Sequence, residues 1–477
     1  MSALVGLDVG TSGVKALAIT PDGEVLGRAE REYPLSMPRP GWAEQDPDDW
    51  RRAGEEALAA LAVDDVAGIG LTGQMHGLVA LDADGRVLRP AILWNDQRTA
   101  AECREIEDRI GLERLVELTG NRALPGFTAP KLLWLRTHEP AAYERIAQVL
   151  LPKDYLRLAL TGERASDVAD ASGTLLFDVA GRRWSEDVLA ALDLPAEWLP
   201  PALESPAVSA ETAAGVPVAA GAGDQAAGAL GVGVTEPGPV SVVLGTSGVV
   251  FATLPELVVD PAGRAHVFCH AAPGAWHAMG VMLSAAGSLG WFRDALAPGE
   301  PYDRLLAEAE RWEPGAEGLL FLPYLAGERT PHVDPDARGA FTGLSLRHDR
   351  GALARSVLEG VAYGLRDSLE LLRALGCQLE VGRVSGGGAR SRLWLEIVAS
   401  VLGLPLERTE VEEGAAYGAA LLGGVAGGVF ADVREAAAAC VRVRDTIEPN
   451  PEWERVYAEG YRRYRSLYPA LETVEDA

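Results

Sequence analysis

Short apolar runs and amphipathic stripes alternate along the chain in an order that repeats. Leu4–Val9 is a nearly unbroken apolar run; Val14–Thr20 and Val25–Glu30 follow, separated by Pro21-Asp22-Gly23. Runs of this length bounded by turn residues predict strands. Apolar positions at helical spacing over Pro47–Leu61, behind an Asp-rich start suited to a helix N-terminus, predict a helix. Ala67–Leu71 reads as a strand, Thr72–Gly77 as a polar turn, and Leu78–Leu81, Asp82–Gly85 and Val87–Leu88 as a hairpin; helices are expected over Gln97–Ile110 and Ala129–Thr137. The second half repeats the grammar. Strands are predicted near Val240–Leu244, Val249–Thr253 and Leu379–Val384, with helices over Ala352–Leu375 and near Trp453–Tyr468. Strands first and helices later, twice over, predict a doubled α/β fold. Its domains, 1–234 and 235–477, join where glycines and prolines interrupt the periodicity between Gly231 and Pro239, and a hinge is expected there.

The doubling is sharpest in one pentapeptide. Gly-Thr-Ser-Gly-Val stands at Gly10–Val14 and again at Gly245–Val249, each time directly after an apolar run. A glycine turn after a strand exposes backbone N–H groups, and its hydroxyls add donors, so both copies suit phosphate oxygens. Asp8 lies two residues before the first copy, with Thr11, Ser12 and Lys15 following; a carboxylate there can hold hydrated Mg²⁺ beside phosphates. An Asp in that place also caps its own turn in many proteins. Asp224, in Gly221-Ala222-Gly223-Asp224-Gln225, serves equally as a general base or as the N-cap of a helix over Ala226–Leu230. Ser385-Gly386-Gly387-Gly388-Ala389 follows a strand and precedes a helix, where it forms either a tight turn or a seat for adenosine. His76 in its polar turn could bind a sugar hydroxyl, and Trp94 and Phe127 could wall a sugar pocket.

Composition narrows the field. The chain has 477 residues, 48% of them apolar and 23% charged, the balance of a soluble globular protein with at least two domains. A net charge of −26 argues against nucleic acid, whose binding needs clustered Lys and Arg. Cys103, Cys269, Cys377 and Cys440 are scattered, so neither a disulfide framework nor a zinc site is expected and a reducing cytoplasm is the simplest location. No signal peptide is read before Asp8. Ala213–Val234 carries one charge, Asp224, in its middle, which favours a buried strand-turn-helix over a membrane span.

Together these segments resemble the FGGY family of carbohydrate kinases over nearly the whole chain. Gly126-Phe127-Thr128-Ala129-Pro130-Lys131-Leu132-Leu133-Trp134 is similar to that family's first signature, and Gly339–Leu344 with Ala354–Glu359 to its second. Gly73–Gly77, Trp94–Arg98, Leu151–Leu156, Ser166–Thr174 and Leu322–His332 resemble segments of the members that phosphorylate D-xylulose. The resemblance implies two duplicated actin/hexokinase/Hsp70-like (ribonuclease H-like) domains around a central cleft. It implies Asp224 as catalytic base, Asp8 as the Mg²⁺ carboxylate, and Met75, His76, Trp94 and Gln225 around the sugar. ATP would be held by Thr11, Ser12, Lys15, Gly245, Thr246, Gly386, Gly387, Gly388 and Ala389. The partners implied are a small sugar and ATP, with a homodimer as the family's habit and no nucleic acid or membrane. Gln225 departs from the Gly-Asp-Asn of some members and resembles kinases of glycerol and gluconate.

Overall fold

The computed structural model describes residues 2–475 and contains two seven-stranded sheets built to one plan. In the first, strand Ala3–Val9 pairs antiparallel with Gly13–Ile19, which pairs antiparallel with Val25–Glu32. On its other side Ala3–Val9 runs parallel to Val66–Gly73, which is flanked by Pro217–Ala219 and Ala222–Gly223. The second sheet repeats this order. Gly238–Leu244 pairs antiparallel with Gly248–Leu254, then Trp276–Met282, and runs parallel to Leu379–Ser385. The pentapeptide repeat is thus the visible remnant of a repeated topology, as the doubled pattern predicted.

Helix Gly414–Ala426, from the second half, lies across strands Ala3–Val9 and Val66–Gly73 and against helix Asp224–Gly231. Small residues permit this. A Cβ on Gly70 would strike the Ala419 carbonyl, and one on Gly418 the Ala227 carbonyl. Backbones this close trade side-chain contacts for main-chain van der Waals packing. The uncharged run Tyr417–Phe430 is therefore a buried helix and its cap. Among the described residues no helix is long and apolar enough to cross a membrane.

The expected hairpin forms: Asp82 N donates to the Arg86 carbonyl at 3.0 Å, Leu88 N to the Ala80 carbonyl at 2.9 Å and Leu81 bridges Val87, while Val79–Leu81 also pairs with the distant Gln148–Leu150. Two expectations need correction. The helix expected from Gln97 begins at Ala100, because the Asp96 carboxylate accepts from Arg98 N and Ala43 N and holds the preceding residues in a turn. The last predicted helix is two, Pro451–Arg465 and Leu467–Glu475. Pro469, without an N–H to donate, cannot continue the first.

Candidate active site

Asp8 and Asp224 stand at the carboxyl ends of the two strands that run parallel to Val66–Gly73 on either side, where ligands of open α/β sheets gather. Asp8 lies opposite Thr72, and Thr72 opposite Ala222, two residues before Asp224. Asp8 does not cap its turn: its Oδ1 is sealed and has no hydrogen-bond partner. Burial pushes its pKa up to about 6, against the pull of Lys15. Asp224 is the first residue of its helix, and Gly223 takes the N-cap position, so the carboxylate is not spent on capping. Among the described residues its one side-chain hydrogen-bond partner is Gln225 Nε2, at 3.5 Å. Burial, and then the charge of Asp8, push the Asp224 pKa up to about 7. In the second half Val243 and Val250 occupy the places of Asp8 and Lys15. Both turns suit phosphate, but only the first has an acid beside it.

The sugar-side candidates converge on this pair. Met75 packs under the Asp224 turn, where a Cβ on Gly223 would lie 2.7 Å from Met75 Cγ. His76 sits in the left-handed region at φ 69°, a conformation that costs a non-glycine residue on the order of 1–3 kcal/mol. Its carbonyl is held by Lys131 Nζ at 2.8 Å and Thr128 Oγ1 at 3.0 Å, both buried on helix Thr128–His138. That is the physical work of the signature lysine, which the sequence presented only as a motif. Burial depresses the His76 pKa to about 3, so the ring is neutral. Its Nδ1 lies 2.5 Å from the Gly173 carbonyl and must donate to it, which leaves Nε2 as an acceptor. Phe127 packs on the ring at a centroid distance of 4.6 Å.

Trp94 and Thr11 are joined rather than separate. The indole Nε1–H of Trp94 donates to Thr11 Oγ1 at 3.0 Å, and Thr11 donates to Gln74 Oε1 at 3.3 Å. Gln45 Nε2 also donates to the Thr11 carbonyl, at 2.6 Å. The Thr11 hydroxyl is thus engaged, and the free groups of the first turn are its N–H donors and the exposed Ser12. Trp94 is half-buried, with its one polar atom engaged by Thr11. Gln45 was not legible as a site residue, and Gln74 stood in the sequence only as part of the segment Gly73–Gly77.

The second turn and the triple glycine form one wall. Gly386 adopts φ 88°, and a Cβ there would lie 2.7 Å from the Leu244 carbonyl carbon, so only glycine lets this loop rest on the second phosphate turn. Gly245, Thr246, Gly387 and Gly388 line a cavity of about 770 Å³ with Leu289 and Tyr302. Lys15 reaches a smaller cavity, about 280 Å³, beside Gly386 and Ala389. The first turn's lysine and the second half's glycine loop therefore share one space.

Below the site lies a charge cluster. Lys153 Nζ contacts Asp154 Oδ1 at 2.6 Å, Asp167 Oδ2 at 2.7 Å and Asp170 Oδ2 at 3.1 Å, all fully buried. Arg157 adds a bond to Asp154 at 2.8 Å. Desolvation holds Asp170 well above the usual carboxylate range, while Lys153 and Arg157 hold Asp154 low against the desolvation that raises it. Asp167 caps the helix Val168–Ser172 that ends at Gly173, the partner of His76. His266 and His270, four residues apart, are separately engaged: His266 Nδ1 faces Asn121 Oδ1 at 2.7 Å and His270 Nδ1 accepts from Ala272 N at 2.8 Å. Among the described residues no group of three or more His, Cys, Asp or Glu is placed to hold a metal.

Residues 3–231 match the N-terminal domain model of the FGGY family of carbohydrate kinases, and residues 240–427 match its C-terminal domain model. The chain belongs to that family. It is a sugar kinase, a phosphotransferase with ATP as donor substrate. A xylulose kinase of Escherichia coli K12 is 43% identical over 98% of this chain and 97% of its own length. One from Bacillus subtilis 168 is 38% identical over 98% and 97%. The crystal structure of a xylulose kinase from Rhodospirillum rubrum superposes with a TM-score of 0.92, at 34% identity and full coverage of both chains.

Proposed function

We propose that this kinase transfers the γ-phosphoryl group of Mg-ATP to O5 of D-xylulose in a reducing cytoplasm. The observation that carries the chemistry is the pair Asp8 and Asp224, at the ends of the two strands that flank Val66–Gly73, the strand that runs on to the neutral His76. The naming of full-length relatives as xylulose kinases supports the sugar. Phosphoryl transfer asks a protein mainly to position reactants and stabilise charge. Asp224, with a pKa near the working pH, accepts the O5 proton as that oxygen attacks. His76 Nε2 accepts from a sugar hydroxyl, while Met75, Trp94 and Gln225 shape the pocket. Thr11, Ser12 and Lys15 face the phosphates from the first half, Gly245 and Thr246 from the second. Gly386, Gly387, Gly388 and Ala389 seat the adenosine. The sealed, unpartnered Asp8 Oδ1 fits a carboxylate built for a hydrated cation, and Mg²⁺ held there would neutralise phosphate charge.

The reading is tested by ADP release with D-xylulose, ribulose, gluconate and glycerol side by side. Xylulose should give the highest kcat/KM; another preferred sugar would overturn the substrate, and sugar-independent turnover the kinase mechanism. His76→Ala removes one hydrogen bond to the sugar, about 1–2 kcal/mol. The xylulose KM should rise on the order of 10-fold with kcat held, the signature of lost uniform binding.

The pH profile follows from the base. Asp224 must be ionised to accept a proton, so kcat/KM should fall as pH drops below about 7 and level off above it. His76, neutral throughout that range, should add no second limb. A log(kcat/KM) plot measured between pH 5 and 9 checks both; a flat line would exclude Asp224 as base.

A further inference from the structure

Three hydrogen bonds close a ring on the first phosphate turn. Gln45 Nε2 donates to the Thr11 carbonyl at 2.6 Å, Gln74 Nε2 donates to Gln45 Oε1 at 2.9 Å, and Thr11 Oγ1 donates to Gln74 Oε1 at 3.3 Å. Gln45 and Gln74 are both 2% exposed. Two indoles set the direction of these bonds, because an indole N–H can only donate. Trp50 Nε1 donates to Gln45 Oε1 at 3.1 Å, which turns the Gln45 amide nitrogen toward Thr11. Trp94 Nε1 donates to Thr11 Oγ1 at 3.0 Å, so the one proton of that hydroxyl goes to Gln74. A buried network paired in this way is rigid.

The ring joins the two sides of the site. Gln74 N donates to the Val9 carbonyl at 2.8 Å, and the sugar-side residues Met75 and His76 follow it directly. Gln45 lies in the short strand Glu44–Gln45, paired with Ala91–Ile92, and Leu93 N donates to the Ala43 carbonyl at 3.0 Å just before Trp94. In the phosphate turn, successive carbonyls are held from one side. The Tyr33 hydroxyl donates to Gly10 O, Gln45 to Thr11 O, and Tyr33 N to Ser12 O at 3.2 Å. In a planar trans peptide the N–H points opposite to the carbonyl. The N–H groups of Thr11 and Ser12 are therefore aimed away from Tyr33 and Gln45, and the Gln45 bond decides the direction of the second.

We propose that Gln45 is a positioning residue for phosphoryl transfer: through Thr11 and Gln74 it locks the phosphate turn to the sugar-side residues, so that each substrate strengthens binding of the other. This rests on the kinase reading above and deepens it. Gln45 touches neither substrate. It fixes the Thr11–Ser12 peptide, whose N–H is one of the donors offered to phosphate, in a ring that also carries the Trp94 bond and the root of the His76 turn. Sugar held by Trp94 and His76 steadies the ring, and the ring keeps that N–H in the direction the nucleotide needs. The coupling is reciprocal by thermodynamic necessity.

Calorimetric titration of a non-hydrolysable ATP analogue, with and without saturating xylulose, reads the coupling in wild type, Gln45→Met, Gln74→Met and Trp50→Phe. Wild type should bind the analogue at least about 5-fold tighter with xylulose present. Gln45→Met keeps the side-chain length without the hydrogen bonds. It should bind each ligand alone within about 3-fold of wild type, lose the coupling, and show a kcat lowered by about 10–100-fold. Gln74→Met cuts the ring on its sugar side and should lose the coupling as well; it decides the matter should Gln45→Met fail to fold. Trp50→Phe removes an indole donor and volume from a fully buried position but leaves the three bonds of the ring. It should melt lower and keep the coupling, which a purely structural role for Gln45 would not allow. No coupling in wild type, coupling retained in Gln45→Met or Gln74→Met, or an equal loss in Trp50→Phe overturns the proposal. If wild type phosphorylates a different sugar of the panel, the substrate reading fails and the same titration with that sugar still decides Gln45.

Discussion

Asp224→Ala loses about 10²–10⁴-fold in kcat, roughly 3–5 kcal/mol of barrier, while binding of Mg-ATP survives. The loss falls in kcat because the proton leaves the hydroxyl during transfer. The nucleotide contacts proposed above lie elsewhere, on the two Thr-Ser turns and the triple glycine. Asp224→Asn separates this from misfolding by the sign of its effect on stability. The folded-state pKa of about 7 lies above the ordinary 3.8, so the folded protein holds the extra proton between those values. Ionisation of the native carboxyl therefore costs stability as pH rises through that window. The Asn variant should melt higher than wild type at pH 8 without Mg²⁺, the gain shrinking toward pH 4. Near-normal kcat at saturating sugar, or a lower melting temperature at pH 8, would contradict the role given to Asp224.

Lys153→Met costs about 3–5 kcal/mol of folding stability, the penalty of stranding buried charges by removing their partner. Three carboxylates share this one ammonium, and only Asp154 keeps a second cation, Arg157. Desolvation holds Asp170 well above the usual carboxylate range, so Lys153→Met with Asp170→Leu should recover part of the loss. Urea unfolding of the single and double variants measures it. The surviving single variant should also bind xylulose more weakly, since Asp167 caps the helix that ends at the His76 partner, Gly173. A loss under about 1 kcal/mol would mean the cluster is not what holds that wall.

Local signals were legible where the chemistry is local. The pentapeptide, its preceding apolar runs and the position of Asp8 could be read because strand, turn and acid are contiguous, and the duplicated topology followed from them. The helix Asp224–Gly231 was legible, but whether its first acid capped it was not, because that depends on Gly223 adopting the N-cap conformation. The paired acids, the Trp94–Thr11 bond and the neutral state of His76 depend on residues brought together from far along the chain. The hairpin from Leu78 to Leu88 was legible because its turn is local, whereas the pairing of Val79–Leu81 with Gln148–Leu150, from far along the chain, was not. Lys153 lay inside a segment noticed only as a motif; burial and partner accounting give it a physical role.

The account stands most directly on the product. D-Xylulose carries primary hydroxyls at both ends, and phosphorylation of O5 removes the oxygen that closes its furanose ring. Carbon-13 and phosphorus-31 spectra of the product formed from xylulose and Mg-ATP should show an open-chain ketone with phosphorus coupling at C5. A ring-closed product with coupling at C1, or ATP hydrolysed to free phosphate with the sugar unchanged, would contradict it.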